Sequence, residues 1–206
     1  MNTVQDPHHA RNRGRRQLVA LAALFFVPLA IAFWLYYGAS GSRPVSGTNK
    51  GELIVPARPL PAVALVRPDG SFTDAQLLRG KWTMLFIGDG RCDERCRKVL
   101  YLTRQSRLAL NKDIGRLQRV FLVTGDCCDH AYLASEHPDL AVALLDGPAG
   151  ASLLAPFRAY DQPTGASGRI FLVDPLGNLM MSYPPGAPDK ALLTDLGKLL
   201  RLSHIG

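Results

Sequence analysis

Two of the chain's four cysteines, Cys92 and Cys96, stand with three residues between them just after an apolar run. That run, Trp82 to Ile87, has strand length and holds no charge, Gly or Pro. Gly88, Asp89 and Gly90 break it with turn chemistry. From Cys96 onward, Val99, Leu100, Leu102, Leu108 and Leu110 recur at roughly helical spacing among Arg97, Lys98, Arg104 and Arg107. A strand, a tight loop, Cys-x3-Cys and a helix predict a redox or metal site at the C-terminal edge of a sheet. Thiols in a first helical turn face unpaired backbone N–H groups and the positive end of the helix dipole, and both favour thiolate. Arg91, Arg95, Arg97 and Lys98 push the same way, while Asp93 and Glu94 oppose. Two cysteines four apart fall on one helical face, close enough for a disulfide or for sharing a soft metal such as Cu(I). An inert structural bridge is the plain alternative. Cys92, nearer the helix start, is expected to be the more accessible thiol, with Cys96 one turn further in.

The second sulfur group is Cys127 and Cys128, followed closely by His130. It lies just past Arg119 to Thr124, a second buried-strand pattern, so it is expected near the same sheet edge. Adjacent cysteines close a strained ring when bridged, so a redox couple between them alone is not expected. Reduced or loop-stapling thiols are the plain reading; the alternative is that one of them bonds to Cys92 or Cys96, or supplies a soft ligand together with His130. Asp126 and Asp129 in the same loop read as solvated carboxylates. His137 precedes Pro138 at a helix end, where a surface or capping role is expected. No Ser/His/Asp arrangement, phosphate-cradling Gly loop or paired Cys-x2-Cys motif is present.

Other elements must position these groups. Arg67-Pro68-Asp69-Gly70, between Ala62 to Val66 and Ser71 to Thr73, carries a hairpin signal. Ala131 to Glu136 and Ala149 to Tyr160 read as helices, with Leu140 to Leu145 a strand between them. Arg169 to Val173 reads as a third buried strand, turning through Asp174-Pro175-Leu176-Gly177-Asn178 into Leu179 to Ser182. Asp189 to Leu202 closes the chain as an amphipathic helix whose stripe is Leu192, Leu193, Leu196, Leu199 and Leu200. Strands alternating with helices imply an α/β layer fold.

The composition is globular, at 47% hydrophobic and 20% charged. Of the formal net charge of +7, residues 1–16 contribute +3 through Arg11, Arg13, Arg15 and Arg16 against Asp6, leaving +4 for the rest. With no basic patch interleaved with aromatics, nucleic acid is not an expected partner. Gln17 to Gly38 carries no formal charge over 22 residues and is long enough to cross a bilayer. Trp34, Tyr36 and Tyr37 stand at its end as an aromatic belt would, and Pro28 lies inside it. The arginines before it place the N-terminus in the cytoplasm and everything after Gly38 outside. A cleaved signal peptide is the competing reading, disfavoured because Tyr37 stands where a small residue is needed before the cut. Residues 39–58, rich in Gly, Ser and Pro, read as a tether, and residues 59–206 as one domain.

The hairpin with Asp-Gly, the Gly80-Lys81-Trp82 entry to a buried strand and the two cysteines opening a helix resemble the thioredoxin superfamily. Three residues between the cysteines, the Phe-Leu-Val-Asp-Pro-Leu-Gly stretch at 171–177, the closing helix and the single N-terminal anchor resemble its Sco (SenC-type) branch. That branch holds membrane-tethered proteins that serve the copper site of cytochrome oxidase. The resemblance implies that Cys92 and Cys96 are the working thiols and Cu(I) the metal. It further implies a bacterial inner-membrane location with the domain in the periplasm, and a cytochrome oxidase subunit or another exported thiol or copper protein as partner. The branch's third copper ligand, a histidine about nine residues before the Pro of the turn, has no counterpart here: Ala166 stands there, and no histidine lies between His137 and His204. Cu(I) binding without strong Cu(II) binding is therefore expected, unless His130 or Cys127 reaches the site. A general periplasmic thiol-disulfide oxidoreductase of the cytochrome c maturation type, and a non-catalytic assembly scaffold, are the alternatives.

Overall fold

Apolar side chains on both faces put strand β2 (Trp82–Asp89) at the middle of the sheet. Trp82, Met84 and Phe86 enter one apolar cluster and Leu85 and Ile87 the other, the period-two split of a strand covered on both sides. β3 (Leu117–Thr124) runs parallel to β2 with Phe121 opposite Phe86, and divides its side chains between the same two clusters. These are coordinates of a computed structural model that describes residues 7–37, 48–160, 168–203 and 205.

The chain separates into two units, Met1–Gly47 and Thr48–Gly206. In the first, helix α1 (Pro7–Tyr37) contains a stretch, Arg15–Leu35, that is long and apolar enough to cross a membrane, with Pro28 inside it. In the second, β1 (Glu52–Pro59) precedes β2, and α2 (Glu94–Ala109) carries the chain from β2 to β3. The short helix α3 (His130–Glu136) leads from β3 to β4 (Leu140–Leu144), and α4 (Gly147–Leu154) continues as a 3-10 turn to Tyr160. β5 (Ile170–Val173), β6 (Asn178–Tyr183) and α5 (Asp189–Leu202) complete it. The sheet order is β1-β6-β5-β2-β3-β4, with β2, β3 and β4 parallel and β5, β6 and β1 added antiparallel. Val99 and Leu100 of α2 and Leu192, Leu196 and Leu200 of α5 cover one face, and Leu153 and Phe157 lie on the other. The α/β layer fold and the closing helix form as the sequence predicts.

The tether expected over residues 39–58 does not reach as far as Arg58. Residues 39–47 lie outside the described residues, but Glu52–Pro59 is β1, an edge strand paired with β6 through Leu53 to Met181 and Arg58 to Leu179. Pro56 and Pro59 hid it, because proline forfeits a ladder hydrogen bond and is admitted only at an edge. The start of this unit is pinned: Asp195 of α5, 2% exposed, accepts from the backbone N–H of Lys50 and Gly51 at 2.8 Å and from the Tyr183 hydroxyl at 3.1 Å. Burial and the neighbouring Asp195 carboxylate both raise the Tyr183 phenol, so it stays protonated as the donor. The expected hairpin reduces to a turn with a single bridge between Val66 and Phe72.

Two further differences share one cause, a buried charge. Arg119 of β3 is 1% exposed and spends its guanidinium on the Thr103 hydroxyl (3.1 Å), the Leu100 carbonyl (2.7 Å) and the Asp139 carboxylate (3.0 Å). The inward face of α2 is therefore Cys96, Val99, Leu100, Thr103 and Ser106, while Leu108, expected in the apolar stripe, is exposed. His137 is likewise buried, 3% exposed, rather than at the surface. Its Nδ1 lies 3.3 Å from the Arg119 guanidinium and its Nε2 3.0 Å from the Tyr132 hydroxyl. With a guanidinium donor at Nδ1, the ring accepts there and donates from Nε2 to Tyr132, which requires the neutral imidazole.

Burial first, then the charges of Arg119 and Arg104, lower the His137 pKa to about 4. Between that value and an unfolded-state value of about 6.5, the unfolded chain binds the extra proton. Stability should thus fall as pH drops through this window and level off below it. Denaturant melts across pH 7 to 4 should show this acid loss in the native chain and a flatter profile in His137→Gln; equal slopes would remove His137 as its source.

Candidate functional site

Strand β2 ends by surfacing among turn residues, and the four positions after it set the sulfur geometry. The backbone N–H of Cys92 donates to the Asp89 carbonyl at 3.1 Å, closing the turn. Cys92 takes φ +49°, the left-handed region that few non-glycine residues occupy. Asp93 then caps α2: its Oδ1 accepts the N–H of Cys96 at 2.9 Å. Cys92 therefore precedes the cap, and Cys96 is the third residue of the helix, with its Cα 5.0 Å from that of Cys92 and the two sulfurs bonded. That separation lies within the range a disulfide spans without backbone movement.

Both cysteines are buried, Cys92 at 1% and Cys96 at 5% exposure. The accessibility order expected from the sequence is reversed: Cys92, in its left-handed turn, is the more buried, while Cys96 lines a cavity of about 320 Å³. Phe86, Asp89, Arg91, Asp93, Arg95 and Gly168 complete its wall. Arg91 holds the Asp89 carboxyl below its usual range through side-chain and backbone hydrogen bonds. One nearby anion is thus neutralised, leaving Asp93 as the carboxylate on the Cys96 amide.

The second cysteine loop is fastened to the first. The Asp129 N–H donates to the Gly90 carbonyl at 3.1 Å. A Cβ on Gly90 would strike the Asp126 carbonyl and lie 2.8 Å from Cys127 Cα, so only glycine permits this approach. Arg97 spans both loops, donating from Nε to the Cys92 carbonyl (3.2 Å) and from its terminal nitrogen to the Asp129 carboxylate (2.9 Å), with its guanidinium 4.3 Å from the Tyr132 ring centroid. Asp129 also caps α3 by accepting the Tyr132 N–H at 3.2 Å. It is not merely solvated. Asp directly before a short helical pattern was a readable capping signal, whereas the sequence marked Gly90 only as a turn residue and nothing marked the reach of Arg97.

Cys127 and Cys128 are bonded to each other, so neither the reduced pair nor the bond to Cys92 or Cys96 that the sequence left open is found. Cys127 is exposed and Cys128 half-buried. His130 is exposed and borders a separate depression with Arg67, Pro68, Asp69 and Leu140. Among the described residues no three His, Cys, Asp or Glu side chains converge as a metal site, so the structure does not bring Cys127, Cys128 or His130 to Cys92 and Cys96 as ligands. Ala166, the position opposed to the missing histidine, lies outside the described residues.

A disulfide at the start of a helix, at the end of a central parallel strand pair, defines a thioredoxin-fold domain, which follows in the sequence a helix long and apolar enough to cross a membrane. Residues 82–203 match the family model for the transmembrane-like, thioredoxin-like, C-terminal domain, and residues 7–39 that for the transmembrane-like, N-terminal domain. The chain belongs to this family. No curated protein matches its sequence. Solved structures of the same fold include apo Sco1 from Thermus thermophilus, 21% identical with a TM-score of 0.60 over 75% of this chain and 98% of that one. Arabidopsis thaliana ScoI with copper bound is 21% identical, with a TM-score of 0.57 over 74% and 99%. The thioredoxin domain of a thiol-disulfide oxidoreductase from Bacteroides vulgatus is 16% identical, with a TM-score of 0.52 over 71% and 99%. At these identities the likeness establishes the fold.

Asp93 both caps α2 and sets a negative charge beside Cys96. Asp93→Ala should cost about 1 kcal/mol of stability, and Asp93→Asn much less, while both lower the pKa of the reduced Cys96 thiol. Denaturant melts and the pH profile of thiolate absorbance check the two effects separately; an unchanged thiol pKa in Asp93→Asn would place that charge out of reach.

Proposed function

We infer that the chain is a membrane-anchored, Sco-like thiol protein whose Cys92–Cys96 pair cycles between disulfide and dithiol while serving assembly of a respiratory oxidase. One observation carries this reading: the bonded pair lines a solvent-connected cavity through Cys96, at the capped start of a helix ringed by Arg91, Arg95 and Arg97. A purely structural bridge needs neither the cavity nor a helix N-terminus that favours thiolate. The fold shared with Sco proteins and with a thiol-disulfide oxidoreductase supports the same chemistry.

Cys96 is the sulfur an incoming thiolate reaches, and Cys92 the leaving sulfur. The Cys96 thiolate is then held by the first-turn N–H groups of α2, and the Arg97 bond to the Cys92 carbonyl keeps the turn in place while the pair is open. Once reduced, the two thiolates fit Cu(I), a soft ion content with two sulfur donors; the disulfide offers it nothing. Copper is thus a cargo that the redox state of the pair admits or refuses, and its recipient is an oxidase subunit or another exported thiol or copper protein. A general thiol-disulfide oxidoreductase is the second reading, favoured by the same cavity and independent of copper.

The topology accompanying this reading places Arg11 to Arg16 in the cytoplasm and residues after Gly38 in the periplasm of a bacterial cell. A reporter fused after Leu60 should be active only if it works outside the cytoplasm; activity of a cytoplasm-restricted reporter would reverse the orientation. For the chemistry, the reduced protein should bind one Cu(I), Cys92→Ser should lose it, and Cu(II) should bind poorly. Reversible reduction at a potential above about −300 mV without Cu(I) binding would select the oxidoreductase reading. A pair that resists reduction below that potential would leave only the scaffold.

A further inference from the structure

The Cys127–Cys128 pair plays no part in the reading above, yet the fold presses its loop onto the Cys92–Cys96 loop. The Gly90–Asp129 backbone bond, the glycine-only approach of Gly90 to Cys127, and Arg97 reaching from the Cys92 carbonyl to Asp129 are three separate fastenings. Cys128 packs against the same apolar cluster that contains Cys92 and Cys96. The two pairs differ in access: Cys92 and Cys96 are buried, whereas Cys127 is exposed. Thiol–disulfide exchange requires a thiolate to come in line with a sulfur, so its rate follows access. A small reductant can enter the cavity beside Cys96. A thiol carried on a folded protein meets the Cys127 sulfur first.

We propose that Cys127 and Cys128 form a second thiol–disulfide couple that relays two electrons between a partner protein's dithiol and the buried Cys92–Cys96 pair. The relay rests on Cys92–Cys96 being a working couple. A partner thiolate attacks the Cys127 sulfur, the Cys127–Cys128 bond breaks, and Cys128 leaves as thiolate. The partner's second thiolate attacks its own sulfur in the mixed disulfide, so the partner departs oxidised and Cys127 is freed as thiolate. One thiolate of this pair then attacks the Cys92–Cys96 disulfide, forming an inter-loop bond and releasing one thiolate of the buried pair. The remaining thiolate of the outer pair closes Cys127–Cys128 again and releases the other. In sum the partner loses two electrons and two protons, Cys92 and Cys96 gain both, and the outer disulfide is restored. Every step is reversible, so the partner's own potential sets the direction.

The test uses the full-length oxidised chain in detergent, with reduced thioredoxin as the protein-dithiol probe, acid quenching, alkylation and peptide mapping. Alkylated Cys127 and Cys128 should appear before alkylated Cys92 and Cys96. In Cys127→Ser/Cys128→Ser, reduction of Cys92–Cys96 by thioredoxin should slow by about tenfold or more, with a small phosphine as the control that the buried disulfide is intact and reducible. Cys92→Ser/Cys127→Ser, which leaves one thiol in each loop, should yield a Cys96–Cys128 cross-link on oxidation, and its absence overturns the relay. Labelling of Cys92 and Cys96 first in the native chain, or equal thioredoxin rates with and without the outer pair, overturns the relay and leaves the buried couple standing. A buried disulfide that neither reagent opens in the native chain overturns both.

Discussion

A buried guanidinium holds the corner on which the site stands. Arg119 is the third residue of β3, and taking its charge out of water costs several kcal/mol unless its nitrogens are hydrogen-bonded. The structure meets them with Thr103 and Leu100 of α2 and with Asp139 at the approach to β4, while His137 accepts from the same guanidinium as a neutral ring. Desolvation depresses the Arg119 pKa and the Asp139 carboxylate offsets it, so the charge persists. Those bonds lock α2 against β3 in one rotation. Because Cys96 lies in the first turn of α2 and Asp129 at the start of α3, the same lock sets both cysteine loops. An apolar residue in place of Arg119 would pack, but it would not select this helix register.

The second constraint is glycine at the strand end. Parallel strands must hand over to helices within a few residues, and at β2 and β3 both handovers occur side by side. Gly90 lets one loop touch the other, and Gly125, at φ +75°, turns the neighbouring chain away from β3. The site is therefore a property of two adjacent strand ends, not of the Cys-x3-Cys motif alone.

This explains which features could be read from the sequence. β2, β3, β5 and α5 declared themselves because burial on both faces, or on one stripe, writes a continuous or periodic apolar pattern. The helix start near Cys96 was legible for the same reason. β1 was not, since its prolines and its edge position remove the alternation that a half-buried strand would show. The polar interior was hidden too: an arginine within Arg-Val-Phe-Leu-Val-Thr looks like a strand border, and only the three-dimensional pairing shows it as the centre of a network. Accessibility within the Cys-x3-Cys loop also escaped, because the left-handed turn at Cys92 reverses the order that linear distance from the helix start suggests.

Donor number then separates what this site can do from what it cannot. A disulfide is not a ligand, so any role with a soft metal begins only after two electrons have entered Cys92–Cys96. Among the described residues no third metal-binding side chain joins the pair, and two sulfurs by themselves suit an ion that accepts low coordination. Cu(I) meets that condition; Cu(II), which prefers imidazole and a larger ligand set, does not. On the proposed reading, reduction and metal capacity would be one event at this site, and control over how electrons reach the buried pair would be control over metal binding. The burial of Cys92, the cavity beside Cys96 and the exposed Cys127 of the adjoining loop all bear on that single step.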